Sequence, residues 1–314
     1  MEKAKGGKIY MKVLLIEIED RNKIGELYSA SSFVTESPDI LLLGKNEVSG
    51  KFNKAFKLNE KIGGNIIQKI INLIEENNYD IIFLTSSILG SYISGSLAGK
   101  LSIPIITEVT GICYENDMLF VERPIYGGKA IIKYEITKTP CILTIRRKYF
   151  DSKIADGNAE YITLGIDYTN ENNIDLLEEI EEKIEGVSLE DADIIVTGGR
   201  GIGSKEDFEI LKSFAEVLKG AVGASRGAVD EGWAPPQMQI GQTGKIVSPT
   251  LYFAIGVSGA SQHLAGITNA KCVVAVNQDE EANIFNRARF GIVSDYKKIL
   301  PSIIKKFREE MVEK

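Results

Sequence analysis

Along the chain, short apolar runs alternate with polar or helically spaced stretches. Lys12-Val-Leu-Leu-Ile-Glu-Ile-Glu19 has strand length and is followed from Asp20 by a polar, helix-competent stretch, so the two predict a first βα unit. Further apolar runs at 40–43, 81–84, 103–106 and 142–145, with apolar residues at helical spacing over 66–74, predict a mainly parallel sheet. Over 170–187 the composition shifts to Asn and Glu with few apolar residues, which reads as a solvated linker. From Asp193 the alternation restarts: a strand at 194–196, a glycine-rich turn, an amphipathic helix at 205–218, strands at 221–224, 251–257, 271–276 and 291–293, and a closing helix at 296–311. The expectation is an α/β protein of two domains, residues 1–187 with a mainly parallel sheet and residues 188–314 doubly wound. In such sheets ligands bind beyond the carboxyl ends of the strands.

A length of 314 residues agrees with two cores, and 44% hydrophobic with 26% charged residues is the composition of a folded globular chain. Lys+Arg 37 against Asp+Glu 44 leaves a net charge of -7, which disfavours nucleic acid as a partner. Cys113, Cys141 and Cys272 are far apart and form no metal-ligand pattern, so a reduced, cytoplasmic chain without a metal site is expected. No apolar run spans a bilayer, so no membrane insertion is expected, and the lysine-rich residues 1–10, ahead of the strand that Met11 opens, read either as a flexible extension or as an overcalled translation start, without assigned function. One histidine, His263, is the most restrictive feature, because most triads and zinc hydrolases need that residue type.

Four loops could carry chemistry, three of them just past predicted strands and the one at 239–244 preceded by Pro235-Pro236. Thr197-Gly-Gly-Arg-Gly-Ile-Gly-Ser204 lets the backbone approach a phosphate, or is equally a tight turn whose Ser204 caps the next helix. Gly223-Ala-Ser-Arg-Gly227 sets a hydroxyl beside a guanidinium, although Arg226 has a plain surface alternative in pairing with Asp230 or Glu231. Gln239-Ile-Gly-Gln-Thr-Gly244 offers amides and a hydroxyl to a heterocycle edge, and could also be a simple hairpin turn. Gly256-Val-Ser-Gly-Ala-Ser-Gln-His-Leu-Ala-Gly266 carries the strongest signal, small residues leading from a strand into a helix starting near Gln262, as a phosphate cradle requires. Asn277 and Asp295 stand just past strands, placed either to bind ribose or adenine groups or to cap helices.

In this order GGRG, GASR, MQIGQTGK, SGASQHLAG, VAVNQD and GIVSD resemble the FAD domain of electron-transferring flavoprotein alpha subunits, over residues 193–307. The first half is similar more loosely, through Thr107-Glu-Val-Thr110 and Arg123-Pro-Ile-Tyr-Gly-Gly128. The resemblance implies a Rossmann-like FAD-binding domain, FAD as cofactor, a beta subunit in a heterodimer, donor dehydrogenases and an acceptor oxidoreductase. It makes the chain an electron carrier without substrate turnover of its own. Arg200, Ser225, Arg226, Gln239, Ile240, Gly241, Gln242, Thr243, Ser258, Gly259, Ala260, Ser261, Gln262, His263, Asn277, Asp295 and Tyr296 are the implied cofactor-binding positions. Arg226 and His263 are the candidate cations stabilising the reduced flavin, and Thr243 the hydroxyl near its N5. Departures are small: Pro236, Gly227 and Ser261 stand where the family often has asparagine, alanine and a larger apolar residue. The rival reading is an NAD-binding enzyme with a deacetylase-like or thiamine-enzyme-like doubly wound domain, since fold alone does not assign activity.

Overall fold

The computed structural model describes residues 2–3, 9–18, 20–44, 47–59, 66–115, 118–165 and 187–312. The chain divides into two compact units, residues 1–125 with 130–180, and residues 126–129 with 181–314. The expected linker at 170–187 lies outside the described residues except for Val187.

In the first unit β1 (Glu2–Lys3) pairs antiparallel with β2 (Ile9–Tyr10) within the first ten residues. Then follow β3 (Val13–Ile18), α1 (Arg21–Ser31), β4 (Asp39–Leu43), β5 (Ala55–Leu58), α2 (Ile66–Asn77), β6 (Ile81–Thr85), α3 (Ile88–Leu101) and β7 (Ile105–Val109). An antiparallel ribbon of β8 (Gly111–Glu115), β9 (Met118–Ile125) and β10 (Ala130–Glu135) precedes β11 (Cys141–Ile145) and β12 (Tyr161–Thr163). Seven strands form a parallel sheet in the order β12-β5-β4-β3-β6-β11-β7. Alternation within β3 explains its two cores: Val13 and Leu15 pack with Ile24 and Leu27 of α1, while Leu14 and Ile16 pack with Ile70 of α2 and Leu97 of α3. The start of α1 is set by Asp20, whose carboxylate accepts the Asn22 N–H at 2.9 Å and the Lys23 N–H at 3.2 Å. β7 begins after Pro104, later than the apolar run alone suggests, since proline has no N–H for a ladder.

The second unit contains β13 (Ile194–Gly198), α4 (Phe208–Val217), β14 (Ala221–Ala224), α5 (Arg226–Asp230), β15 (Leu251–Ile255), α6 (Ser261–Ala265), β16 (Cys272–Asn277), β17 (Phe290–Val293) and α7 (Tyr296–Val312). Its five strands are parallel in the order β14-β13-β15-β16-β17. Phe253 and Ile255 face α4 and α7, where Phe214 meets Phe253 edge-on with ring centroids 4.8 Å apart. Tyr252 and Ala254 face the other core with Ile240, Ile267 and Ile284. Chain order reverses between neighbours β13 and β15, so the loops leaving their carboxyl ends diverge and open a crevice there.

Candidate functional site

A cavity of about 650 Å³ lies at this crevice, within the range of about 300–1,000 Å³ usual for small-molecule and cofactor sites. Loops leaving β13, β14, β15 and β16 all reach it, together with the 239–243 segment. Of the residues named from sequence, Arg200, Ser225, Arg226, Gln239, Ile240, Gly241, Gln242, Thr243, Ser258, Ala260, Gln262, His263 and Asn277 line it. Gly259 and Ser261 sit between lining residues of the same loop, and neither is itself on the wall. Asp295 and Tyr296 are not on the wall either. Asp295 accepts the Lys297 N–H at 2.9 Å, the capping role left open for it, and Tyr296 is buried with its hydroxyl donating to the Ile202 carbonyl at 2.7 Å.

The glycine-rich turn after β13 has a packing cause. A Cβ on Gly199 would lie 2.1 Å from the Gly256 carbonyl oxygen, and Gly256 itself adopts φ 62 with no room for a side chain beside Gly201. The two turns are backed against each other, and Ser204 accepts the Asp207 N–H at 3.1 Å in the turn before α4, whose N-cap position is Asp207 and not Ser204. Arg200, exposed at the rim, is the part of this turn that reaches the cavity.

Ser225 caps α5, its hydroxyl accepting the Ala228 N–H at 3.4 Å, and so places Arg226 at the first helical position. The Arg226 guanidinium meets Asp230 at 3.5 Å, both side chains being mostly exposed. In the 239–244 loop Gln239 donates to the Thr243 hydroxyl oxygen at 3.0 Å, which leaves the Thr243 proton available to a ligand. Among the described residues, no protein acceptor meets the amide N–H groups of Ser258, Gly259, Ala260 and Ser261. Asn277 donates to the Val257 carbonyl at 3.0 Å and accepts the Asp279 N–H at 3.1 Å, so it props the same loop from β16.

His263 differs from the expected cation. It is 6% exposed, its Nδ1 is 3.0 Å from the Ile240 carbonyl and its Nε2 3.0 Å from the Tyr252 hydroxyl. Burial holds its pKa down at about 4, only partly opposed by the Ile240 carbonyl, so the ring is neutral at pH 7. Arg200 and Arg226 are the cationic side chains on the wall, which also carries Asp230 and Asp279. These two carboxylates, with Gly201, Gly227, Gly256 and Val257, are lining residues that the sequence reading did not select. Gly201 and Asp279 lie inside the quoted GGRG and VAVNQD stretches, a signal that was available.

A parallel doubly wound sheet with four loops converging on one polar cavity at its switch point defines a nucleotide-cofactor-binding α/β protein. Residues 188–268 match the model of the electron transfer flavoprotein FAD-binding domain, and residues 59–165 that of the electron transfer flavoprotein domain. The chain is 39% identical over 243 residues to the electron transfer flavoprotein subunit alpha of Bacillus subtilis (strain 168), covering 77% of this chain and 75% of the relative. It is 37% identical over 252 residues to the mitochondrial subunit alpha of Arabidopsis thaliana, covering 77% and 69%. With that of Paracoccus denitrificans the identity is 41% over 207 residues, 66% of each chain. The chain belongs to the electron transfer flavoprotein alpha subunit family, and its second unit is an FAD-binding domain. The residues present fit that cofactor: the unengaged amides of 258–261 suit a pyrophosphate, and hydroxyls, side-chain amides and two guanidiniums suit the polar edges of the flavin. Among the described residues no helix is long and apolar enough to cross a membrane, and no group of three or more His, Cys, Asp or Glu could hold a metal ion.

Proposed function

We propose that this chain is the FAD-carrying half of a heterodimer with a beta subunit, taking electrons from dehydrogenases and handing them to an acceptor oxidoreductase without turning over a substrate of its own. The observation that carries this reading is the convergence of the β13, β14, β15 and β16 loops on one open cavity whose wall holds amides, hydroxyls and guanidiniums. FAD supplies the chemistry, the reversible uptake of one or two electrons. The amides of 258–261 and the Ser258 hydroxyl bind its pyrophosphate. Asn277 keeps that loop in place. The Thr243 hydroxyl donates toward the flavin, and Arg226 supplies the positive charge that favours added electrons.

The engagement of both His263 nitrogens supports a carrier over the rival NAD-dependent enzyme, because a deacetylase-like reaction needs a histidine free to accept a proton. A cytoplasmic location is part of the proposal, supported by three free cysteines. The test is co-expression with a beta subunit. The purified complex should be yellow, bleach with a reduced donor dehydrogenase and recover with an acceptor. A colourless complex, or NAD consumption by this chain, would overturn the proposal.

A further inference from the structure

The first unit holds a buried cation whose hydrogen bonds are not made. Arg146, the residue after β11, has a side chain only 9% exposed, yet among the described residues its guanidinium donates no hydrogen bond. Glu108 brings Oε2 to 3.4 Å from Nε without forming one, and the Tyr149 ring lies 5.6 Å from the guanidinium carbon. Of the three nitrogens only Nε is wholly shut off from solvent, so the outer edge of the fork, Nη1 and Nη2, is what an acceptor can reach. Its neighbour Arg147 is engaged differently, with Nε 3.5 Å from Glu26. A buried charge short of acceptors is costly, and such groups in folded proteins are met by water, an ion or a ligand.

The direction of that edge follows from β11. Side chains alternate along a strand, so Ile142, Thr144 and Arg146 share one face of the sheet. Ile142 packs in the core that holds Ile93 and Leu97 of α3, and the Thr144 hydroxyl meets that of Ser86 at 2.8 Å, just ahead of the helix. Each step along β11 thus moves toward the N-terminus of α3, and Arg146 is the next step. The Ser86 N–H donates to the Ile145 carbonyl at 2.8 Å, which holds the loop to the strand end. At this helix end Ser87 accepts the Gly90 N–H at 3.0 Å, while the N–H groups of Ile88 and Leu89 meet no protein acceptor among the described residues. Glu108 reaches the site through an irregularity. The β7–β11 ladder shifts register between Leu143 and Ile145, and Glu108 takes φ 60 with its N–H donating to the Thr144 hydroxyl at 3.1 Å.

We propose that Arg146 and the first turn of α3 form an anion site that takes a phosphate group, free or at the end of a small phosphate ester. None of these residues lines the cofactor cavity. The planar fork offers paired donors to two phosphate oxygens, and the Ile88 and Leu89 amides add two more at the positive end of a 14-residue helix. Glu108 is the competitor in this arrangement. Its carboxylate is one-third exposed and holds Arg146 by charge alone, so it can move aside as phosphate enters.

Calorimetric titration of the full-length chain with inorganic phosphate, in excess FAD so that the 258–261 turn is filled, tests this. Arg146→Gln should weaken phosphate binding about tenfold to a hundredfold, the factor that hydrogen bonds to a charged group are worth. Arg146→Lys should recover part of it, since charge returns without the fork. Ile88→Pro deletes one free amide at the first helical position, where proline is tolerated, and should weaken binding about fivefold with no loss of thermal stability. Glu108→Gln removes the competing carboxylate and should tighten binding about fivefold. An ion pair with a structural role alone predicts no such gain. Glycerol phosphate in place of phosphate separates the two sources: binding that again depends on Arg146 means an ester fits, and its rejection means that the site takes the free ion. A parent that binds no phosphate, or binding unchanged in Arg146→Gln, would overturn the proposal and leave the guanidinium served by water. Should Arg146→Gln fail to fold, unchanged binding in Ile88→Pro or Glu108→Gln would overturn it as well.

Discussion

Gly199 and Gly256 stand back to back at the switch point, and a Cβ added to Gly199 would come within 2.1 Å of the Gly256 carbonyl oxygen. That contact lets the loops leaving β13 and β15 share one narrow crevice, and Gly256 also needs its left-handed φ of 62. Gly256→Ala should cost this unit more than about 2 kcal/mol, combining an unfavourable backbone region with a backbone collision. Thermal release of flavin fluorescence measures it. Release at the parent's temperature would show that the two turns are not in this contact.

Gly227 is the reverse case, because it is helical and a Cβ there would meet the Arg200 side chain at an ordinary 3.5 Å. Gly227→Ala, a return to the residue common in the family, should stabilise the unit by about 0.5–1 kcal/mol and leave FAD bound. A loss of FAD in this variant would show that the cofactor occupies the space taken here as free.

How far the fold could be read ahead depended on which side chains were buried. The strands β4, β6 and β11 are buried along their whole length, as are residues 13–17 of β3, and they read as mainly apolar runs. The ribbon β8, β9 and β10 was missed because it alternates with charge, as in Ala130-Ile-Ile-Lys-Tyr-Glu135, and lies half in solvent. α3 was missed because Gly90, Gly95 and Gly99 with three Ser residues interrupt its apolar positions and give it no amphipathic stripe. At the site, motif order located the loops and left charge states open. The state of His263 depends on Tyr252 and the Ile240 carbonyl, 11 and 23 residues away, and no local pattern carries that.

The lone imidazole should titrate near pH 4 when followed by NMR, well below an unperturbed histidine near 6.5. Because the folded value is the lower one, the unfolded chain takes up the proton first. The stability associated with neutral His263 is thus complete above pH 6.5, falls as pH drops to about 4, and is constant below. About 3 kcal/mol is at stake. The stability difference between parent and His263→Gln should shrink over that window. A midpoint near 6.5 would mean that the ring is not buried.

Arg226 and Asp230 carry opposite predictions for the flavin potential. Both line the cavity, and their 3.5 Å contact is so exposed that it contributes at most about 1 kcal/mol, too little to hold the guanidinium against a reduced flavin. Removing the cation with Arg226→Ala should lower the midpoint potential, and removing the neighbouring anion with Asp230→Asn should raise it. At about 4 Å one charge is worth roughly 1 kcal/mol in water and about 4 at an intermediate dielectric. With 59 mV to about 1.4 kcal/mol for one electron, the exposed side chain belongs at the lower end, about 40 mV. Arg226→Lys should recover part of the loss, since it restores charge without the planar fork. High salt should compress all three shifts, because charges in contact with solvent are screened. Redox titrations at matched FAD occupancy decide it. Unchanged potentials in both Arg226→Ala and Asp230→Asn would make the two residues a surface ion pair with no part in electron transfer.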